Sequence, residues 1–210
     1  MIGRLWRRLE ARRGPRIETL LRDGFVAIDV ETTGLDPVRD DLVAFAAVPF
    51  AHGVPATGYS TLVDPGRSIP PASTAIHGIT DAMVAGAPDA RELAASLDGL
   101  LAGRLLVGHG IDFDLAVINR VRRASGLRPL RHVALDTLLL DAVLRPGSRD
   151  FSLEHLAGRL GVEVVGRHTA LGDALTAGRM LLALLPDLER AGFRTIPELR
   201  WAQGRARMHL

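Results

Sequence analysis

The sequence predicts an α/β domain on a mixed sheet. Three apolar, strand-like runs at 25–31, 42–50 and 58–63 are joined by turns too short for a crossover, so they read as antiparallel neighbours. Beyond residue 64, helical periodicity alternates with short apolar runs, the pattern of parallel strands linked by helices. At 210 residues, with 47% hydrophobic and 24% charged side chains, the chain is globular and long enough to bury a core.

The elements follow in order. Ile2, Leu5, Trp6 and Leu9 recur at helical spacing, so an amphipathic helix precedes the domain and Gly14-Pro15 ends it. Residues 1–22 are also basic, with Arg4, Arg7, Arg8, Arg12, Arg13, Arg16 and Arg22 against Glu10 and Glu18. The strand 25–31 exits through Thr32-Thr33-Gly34-Leu35-Asp36-Pro37, and His52-Gly53 turns the second strand toward the third. Helices are expected near 72–77, 80–84 and 89–101. Leu105-Leu106-Val107 reads as a buried strand, 112–125 as a helix, 133–138 as a strand, and 152–160 and 170–185 as helices. Residues 187–210 read as a tail with one helix near 197–205, which leaves 23–186 as the domain. Three antiparallel strands followed by helix–strand–helix–strand–helix is the order of a ribonuclease-H-like α/β fold.

Composition narrows the chemistry. Cysteine is absent, which excludes disulfides, thiolate nucleophiles and Cys-based zinc sites. No apolar stretch reaches the roughly 18 residues of a membrane span, and arginines interrupt any signal-peptide pattern, which points to the cytoplasm. All 26 basic residues are arginine, yet the net charge is only +2, so charge alone says little about a nucleic-acid partner. Arg120, Arg122, Arg123, Arg128 and Arg131 form a second cluster suited to phosphate contacts or to a solvated helix face.

The candidate site begins with Asp29 and Glu31. In a strand they share a face, with Cα atoms about 6.6 Å apart. Two acids so close in a buried strand need a cation between them. Asp114 opens the helix after the short strand 105–107. His168 and Asp173 are five residues apart, roughly 140° on one helix. They converge only if His168 lies in the preceding loop and Asp173 in the first turns, with Thr169 as the N-cap. Leu171, Leu175, Gly178, Leu182 and Leu185 give that helix an apolar stripe, and Ala170, Ala174 and Ala177 allow close approach to the sheet.

Singly, each residue has a structural explanation: strand-end acids, a loop histidine, an acid favoured by a helix dipole. Together, four carboxylates and a histidine suit metal-dependent phosphodiester cleavage. Carboxylates without cysteine or paired histidines select Mg²⁺ or Mn²⁺ over zinc. Four acids suffice for two ions about 3.5–4 Å apart, which clamp the attacking and leaving oxygens. An imidazole beside them can take the proton of the attacking water.

The run 25–35, FVAIDVETTGL, resembles the first motif of the DnaQ-like 3′–5′ exonucleases with a catalytic histidine (DEDDh). Gly108-His109-Gly110-Ile111-Asp112-Phe113-Asp114 resembles the second, and Arg167-His168-Thr169-Ala170-Leu171-Gly172-Asp173-Ala174 the third. Ile76-His77-Gly78-Ile79-Thr80 matches a segment common between the first two. The similarity covers about residues 24–185 and points within the family to the proofreading ε subunits of bacterial DNA polymerase III.

The resemblance implies that Asp29, Glu31 and Asp173 hold the catalytic ion, that Asp29 and Asp114 serve a second, and that His168 is the general base. It further implies that Thr32 and Leu35 hold the terminal nucleotide, with His77 near its sugar, while His109 reads as structural. The implied substrate is the 3′ end of a single strand, DNA favoured, released as nucleoside monophosphates in proofreading or repair. RNA trimming is the alternative within the class, because a 2′-OH is read by subsite shape. A non-catalytic nucleic-acid-binding module is the alternative outside it, and such a module has no need of four clustered acids. Two departures stand out. Gly110 replaces the usual asparagine of the second motif, and no glutamine-led apolar clamp-binding peptide surrounds Gln203. The resemblance leaves room for a polymerase or other protein partner without supporting one.

Overall fold

The computed structural model describes residues 14–208. The expected helix over Ile2 to Leu9 therefore lies outside the described residues. Of the basic segment 1–22, the description reaches a short helix, α1 (Glu18–Asp23), whose Leu20 is buried in the core.

Strands β1 (Phe25–Thr32), β2 (Leu42–Ala51), β3 (Val54–Pro55), β4 (Tyr59–Leu62), β5 (Leu106–Gly108) and β6 (Ala134–Asp136) form one mixed sheet. Its order is β3-β2-β1-β5-β6, with β4 also pairing β2. β1–β2 and β2–β4 are antiparallel, and β1–β5 and β5–β6 are parallel, as the sequence predicts. The expected third strand over 58–63 is β4, and the short strand β3 before it, Val54–Pro55, is an addition that pairs with the end of β2. Near the end of β1 the register slips: Glu31 lies opposite Ala44 but Thr32 opposite Leu42. Such a bulge bends the strand and re-aims the side chains beside it.

Alternation along β1 feeds two cores. Phe25 and Ala27 face the side covered by α8 (Ala170–Arg190), α7 (Leu153–Leu160) and α9 (Ile196–Ala206). Val26, Ile28 and Val30 face α4 (Ala90–Leu101) and α5 (Ile111–Ala124). Asp29 and Glu31 continue the Phe25 face, so they emerge beneath the start of α8. That helix lies close on the sheet because Gly178 meets the Phe50 ring, where a Cβ would sit 2.2 Å from Cε2.

The inward face of α8 carries the small residues expected to allow close approach, and of the expected apolar stripe only Gly178 and Leu185 are buried. Leu171 is exposed and Leu175 and Leu182 are half-buried, whereas Ala170, Ala174, Ala177, Leu181, Leu184 and Leu188 are buried. Small residues win the sheet-facing side because the helix approaches so closely. α8 also runs through Pro186 to Arg190, past the expected end at 185. A proline there lacks one amide donor, but the helix continues around it.

α6 (Thr137–Leu144) follows β6 directly and has no counterpart in the sequence reading. Residues 187–210, expected as a tail, contain α9, which packs on α6 and β6 with Leu199 wholly buried. Gln203 joins the sheet: its Nε2 donates to Ala134 O at 2.9 Å, and its Oε1 accepts from Asp136 N at 3.2 Å. The short helices α2 (Pro71–His77) and α3 (Asp81–Val84) lie between the first sheet half and α4. No described helix is long and apolar enough to cross a membrane.

Candidate active site

Three elements meet at the carboxyl end of β1. The strand itself supplies Asp29 and Glu31. The parallel neighbour β5 ends at Gly108, and α5 begins three residues later, which puts Asp114 in its first turn. Gly110 is the turning point: with φ at 78° it sits in the left-handed region, where glycine and asparagine are favoured. This conformation accounts for glycine in place of asparagine in that motif. From the other side of the sheet comes the start of α8. Thr169 caps it, its hydroxyl accepting from Gly172 N at 3.2 Å, so His168 lies in the loop and Asp173 in the first turn.

The packing brings Asp29, Glu31 and Asp173 together. One ligand oxygen from each lies within 4.8 Å of the other two. Asp114 is set slightly behind them, wholly in the interior, where its Oδ1 accepts from Val30 N at 3.0 Å. The charges feel one another. Burial pushes the Asp29 carboxyl well above the usual carboxylate range, and Asp114, Asp173 and Glu31 push it further. Burial, with Asp173 adding to it, raises Glu31 to about 7. Asp114 rises to about 8, again chiefly by burial, against hydrogen bonds from backbone amides including Val30. Burial raises Asp173 as well, opposed by Arg167.

The fit to a cation can be tested on one atom. Asp173 Oδ1 is buried without a hydrogen-bond partner among the described residues. Its second oxygen accepts from His168 N at 3.2 Å and from Arg167 Nη1. A buried carboxylate oxygen left unpaired beside two further carboxylates is a strongly unfavourable arrangement unless a cation completes it. The donor set, all carboxylate, suits a hard divalent ion.

The remaining expected residues divide. Thr32 is buried at the end of β1, its hydroxyl donating to Gly34 O at 2.5 Å. Leu35 projects from the following loop and is 87% exposed. His77 ends α2, buried, with Nδ1 accepting from Ile79 N at 3.0 Å and Nε2 unpartnered among the described residues. Burial lowers its pKa, against a backbone hydrogen bond with Thr32. His109 is structural as expected, its ring nitrogens bonded to Thr137 Oγ1 at 2.9 Å and Phe151 O at 2.8 Å.

Two of the clustered arginines, both on α5, are structural, while Arg123, Arg128 and Arg131 are exposed. Arg122 is buried, donating to Arg128 O, Ala94 O and Asp98. Arg120 donates to Pro37 O and Asp40 O and so braces the loop that carries Leu35. Two residues the sequence reading passed over join the site: Arg167, which ion-pairs with Asp173, and Glu154 of α7, which pairs with Arg167. Arg167 stands beside His168, but nothing in the spacing links it to Glu154.

Comparison with known proteins gives the following likenesses. The exonuclease family model matches residues 26–181. The DNA polymerase III subunit epsilon of Aquifex aeolicus is 33% identical over 171 residues, which is 81% of this chain and 85% of that protein. The DNA polymerase III subunit epsilon-like protein of Rhodobacter capsulatus is 43% identical over 176 residues, 81% of this chain but only 25% of that protein. Among solved structures, Exonuclease X in complex with 5′ overhanging duplex DNA superposes with a TM-score of 0.66 at 27% identity, covering 85% of this chain and 99% of that one.

Proposed function

The chain belongs to the exonuclease family, and from that premise we propose that it is a metal-dependent 3′–5′ exonuclease that removes nucleoside monophosphates from single-stranded 3′ ends of DNA, in proofreading or repair. The observation that carries the reading is the convergence of Asp29, Glu31 and Asp173 beside the His168 loop, with an unpaired Asp173 oxygen. Asp29, Glu31 and Asp173 would hold the catalytic ion and Asp29 with Asp114 a second, Mg²⁺ or Mn²⁺. Bound there, the ions supply the positive charge that the attacking and leaving oxygens of a phosphodiester require.

The protein's own groups do the rest. His168 takes the proton of the attacking water at its imidazole. Its backbone amide donates to Asp173, which ties the loop that carries it to the acid cluster. Thr32 and Leu35 close the pocket over the terminal nucleotide, and His77 lines it near the sugar. DNA is favoured by the epsilon relatives and by the DNA complex of Exonuclease X. A polymerase partner would accord with those relatives, and the assay below does not depend on it.

The test uses labelled single strands of DNA and RNA with Mg²⁺, Mn²⁺ or EDTA. A 3′ label should leave at once as a mononucleotide, while a 5′-labelled strand shortens stepwise. Cleavage undiminished in EDTA, or efficient cutting of a circular single strand, would overturn the reading. Faster loss from RNA than from DNA would reassign the substrate.

A further inference from the structure

The loop before α8 holds a charge that the proposed chemistry does not use. Arg167 extends its guanidinium between two carboxylates, donating through Nη1 to Asp173 Oδ2 and through Nε to Glu154 Oε1. The two contacts differ in setting: the Asp173 side chain is 5% exposed, that of Glu154 48%. Asp173 Oδ2 is thereby held by two donors, Arg167 and the His168 amide. Oδ1 has none among the described residues, although it too is buried. A carboxylate gripped on one oxygen by donors of fixed direction has its other oxygen aimed. Asp173 also belongs to a cluster in which one oxygen from each of Asp29, Glu31 and Asp173 lies within 4.8 Å of the others, and Oδ1 is the oxygen its donors leave free to serve it.

We propose that Arg167, buttressed by Glu154, is the positioning residue of the metal centre. It fixes Asp173 so that Oδ1 stays turned toward Asp29 and Glu31, and by the same bonds it fixes the loop that carries His168. Arginine suits this task because its planar fork makes two directed bonds at once, which an ammonium does not. The loop needs such fastening. Gly166 and His168 both have positive φ, at 63° and 60°, and for a non-glycine residue such as His168 that conformation is held only when its surroundings enforce it. The bonds from residues 167 and 168 to one Asp173 oxygen are part of that enforcement. Hydrogen-bond partners of metal ligands commonly matter 10–100-fold to ion affinity.

A second effect of Arg167 works the other way. Its positive charge lowers the affinity of the acids for protons, and by the same electrostatics it repels a divalent ion. The Arg167 side chain is 31% exposed and its charge is partly neutralised by Glu154, which weakens the repulsion. Orientation therefore outweighs charge, and loss of the arginine weakens the ion.

This inference rests on the metal-site reading above, and the experiment separates the two. Mn²⁺ binding to the full chain, without substrate, is measured by calorimetry for the wild type, Asp29→Asn, Arg167→Met, Arg167→Lys and Glu154→Gln. Melting temperatures in EDTA report folding. Wild-type binding abolished by Asp29→Asn establishes the site; no uptake by the wild type overturns the metal reading and this inference with it. Given a site, Arg167→Met should bind Mn²⁺ about 10–100-fold more weakly. Glu154→Gln should lie between it and the wild type, and Arg167→Lys should recover part of the loss. The same order should appear in kcat for single-strand cleavage at saturating metal, with KM for DNA little changed. Equal or tighter Mn²⁺ binding by Arg167→Met would overturn the proposal, leaving the arginine as a counter-charge to the acids. Should that variant not fold, wild-type affinity in both Arg167→Lys and Glu154→Gln overturns it equally.

Discussion

His168 and Asp114 are held by different atoms, and their variants should part accordingly. His168 is anchored through its amide, which donates to Asp173 at 3.2 Å, while no side-chain hydrogen bond engages its ring among the described residues. Truncating the ring leaves the anchor and the acid cluster in place. His168→Ala is thus expected to lower kcat by about 10²–10⁴-fold while Mn²⁺ affinity in calorimetry survives. A loss of affinity matching that of Asp29→Ala would make His168 a ligand. Asp114 works through its carboxyl, which both faces the acid cluster and accepts from Val30 N. Asparagine keeps an acceptor for Val30 but removes the charge, so Asp114→Asn should lose nearly all cleavage with a melting temperature equal to the wild type or higher. Alanine strands the buried amide, which costs about 1–3 kcal/mol, so Asp114→Ala should lose both activity and stability. Equal stability of the two variants would mean that water replaces the lost acceptor.

At the scale of elements, the β1–β2 loop shows how the framework holds a substrate contact. Arg120 reaches from α5 to Pro37 O at 3.1 Å and to Asp40 O, and Arg67 bonds Asp41 and Thr33 Oγ1, each at 2.6 Å. These bonds brace the loop between buried Thr32 and exposed Leu35. Arg120→Met should loosen it and raise KM for single strands several-fold with a smaller change in kcat; an unchanged KM would detach the brace from substrate binding. The elements that position the acids were legible because each has a mark of its own: the apolar run and shared face of β1, the short apolar run of β5 before the helix that opens at Asp114, and the Thr169 cap of α8. α6 escaped because Leu138, Leu139 and Leu140 form an unbroken apolar run with no stripe, although Asp136 before them, accepting from Leu138 N, is a readable N-cap. On α8 the small residues Ala170, Ala174 and Ala177 were legible as the side that approaches the sheet, whereas Leu171, Leu175 and Leu182 of the expected stripe are left partly or largely exposed because those small residues take the closest contact. Within the site, the acids and His168 were legible as motifs. The Arg167–Glu154 pair joins residues 13 apart through the packing of α7 on α8, a contact that no local spacing encodes.

For the whole molecule, gathering four acids at the end of one strand ties stability to pH and to metal. Glu31 titrates at about 7 against an ordinary 4.5, and Asp114 at about 8 against 3.8, both chiefly through burial. Raised folded-state values mean that the native chain binds more protons than the unfolded one between those limits. The stabilisation from these protons is fully present below about pH 4 and is lost as pH rises through 7 and 8. The acid site therefore makes the metal-free protein less stable on going from pH 5 to 8.5, the reverse of a carboxylate held by a salt bridge. Divalent ions replace those protons and bind only the folded arrangement. A hundredfold excess over Kd adds about 2.7 kcal/mol, or about 5–10 °C in a domain of this size. Because uptake displaces protons, the gap between melting temperatures in Mg²⁺ and in EDTA should widen with pH across this window. Calorimetry near pH 6.5 in buffers of different ionisation enthalpy should register the released protons. Asp114→Asn should flatten the EDTA curve by removing one of the two titrating groups. A gap that narrows as pH rises, or a melting curve of Asp114→Asn in EDTA as steep as that of the wild type, would show that the acids do not exchange protons for metal.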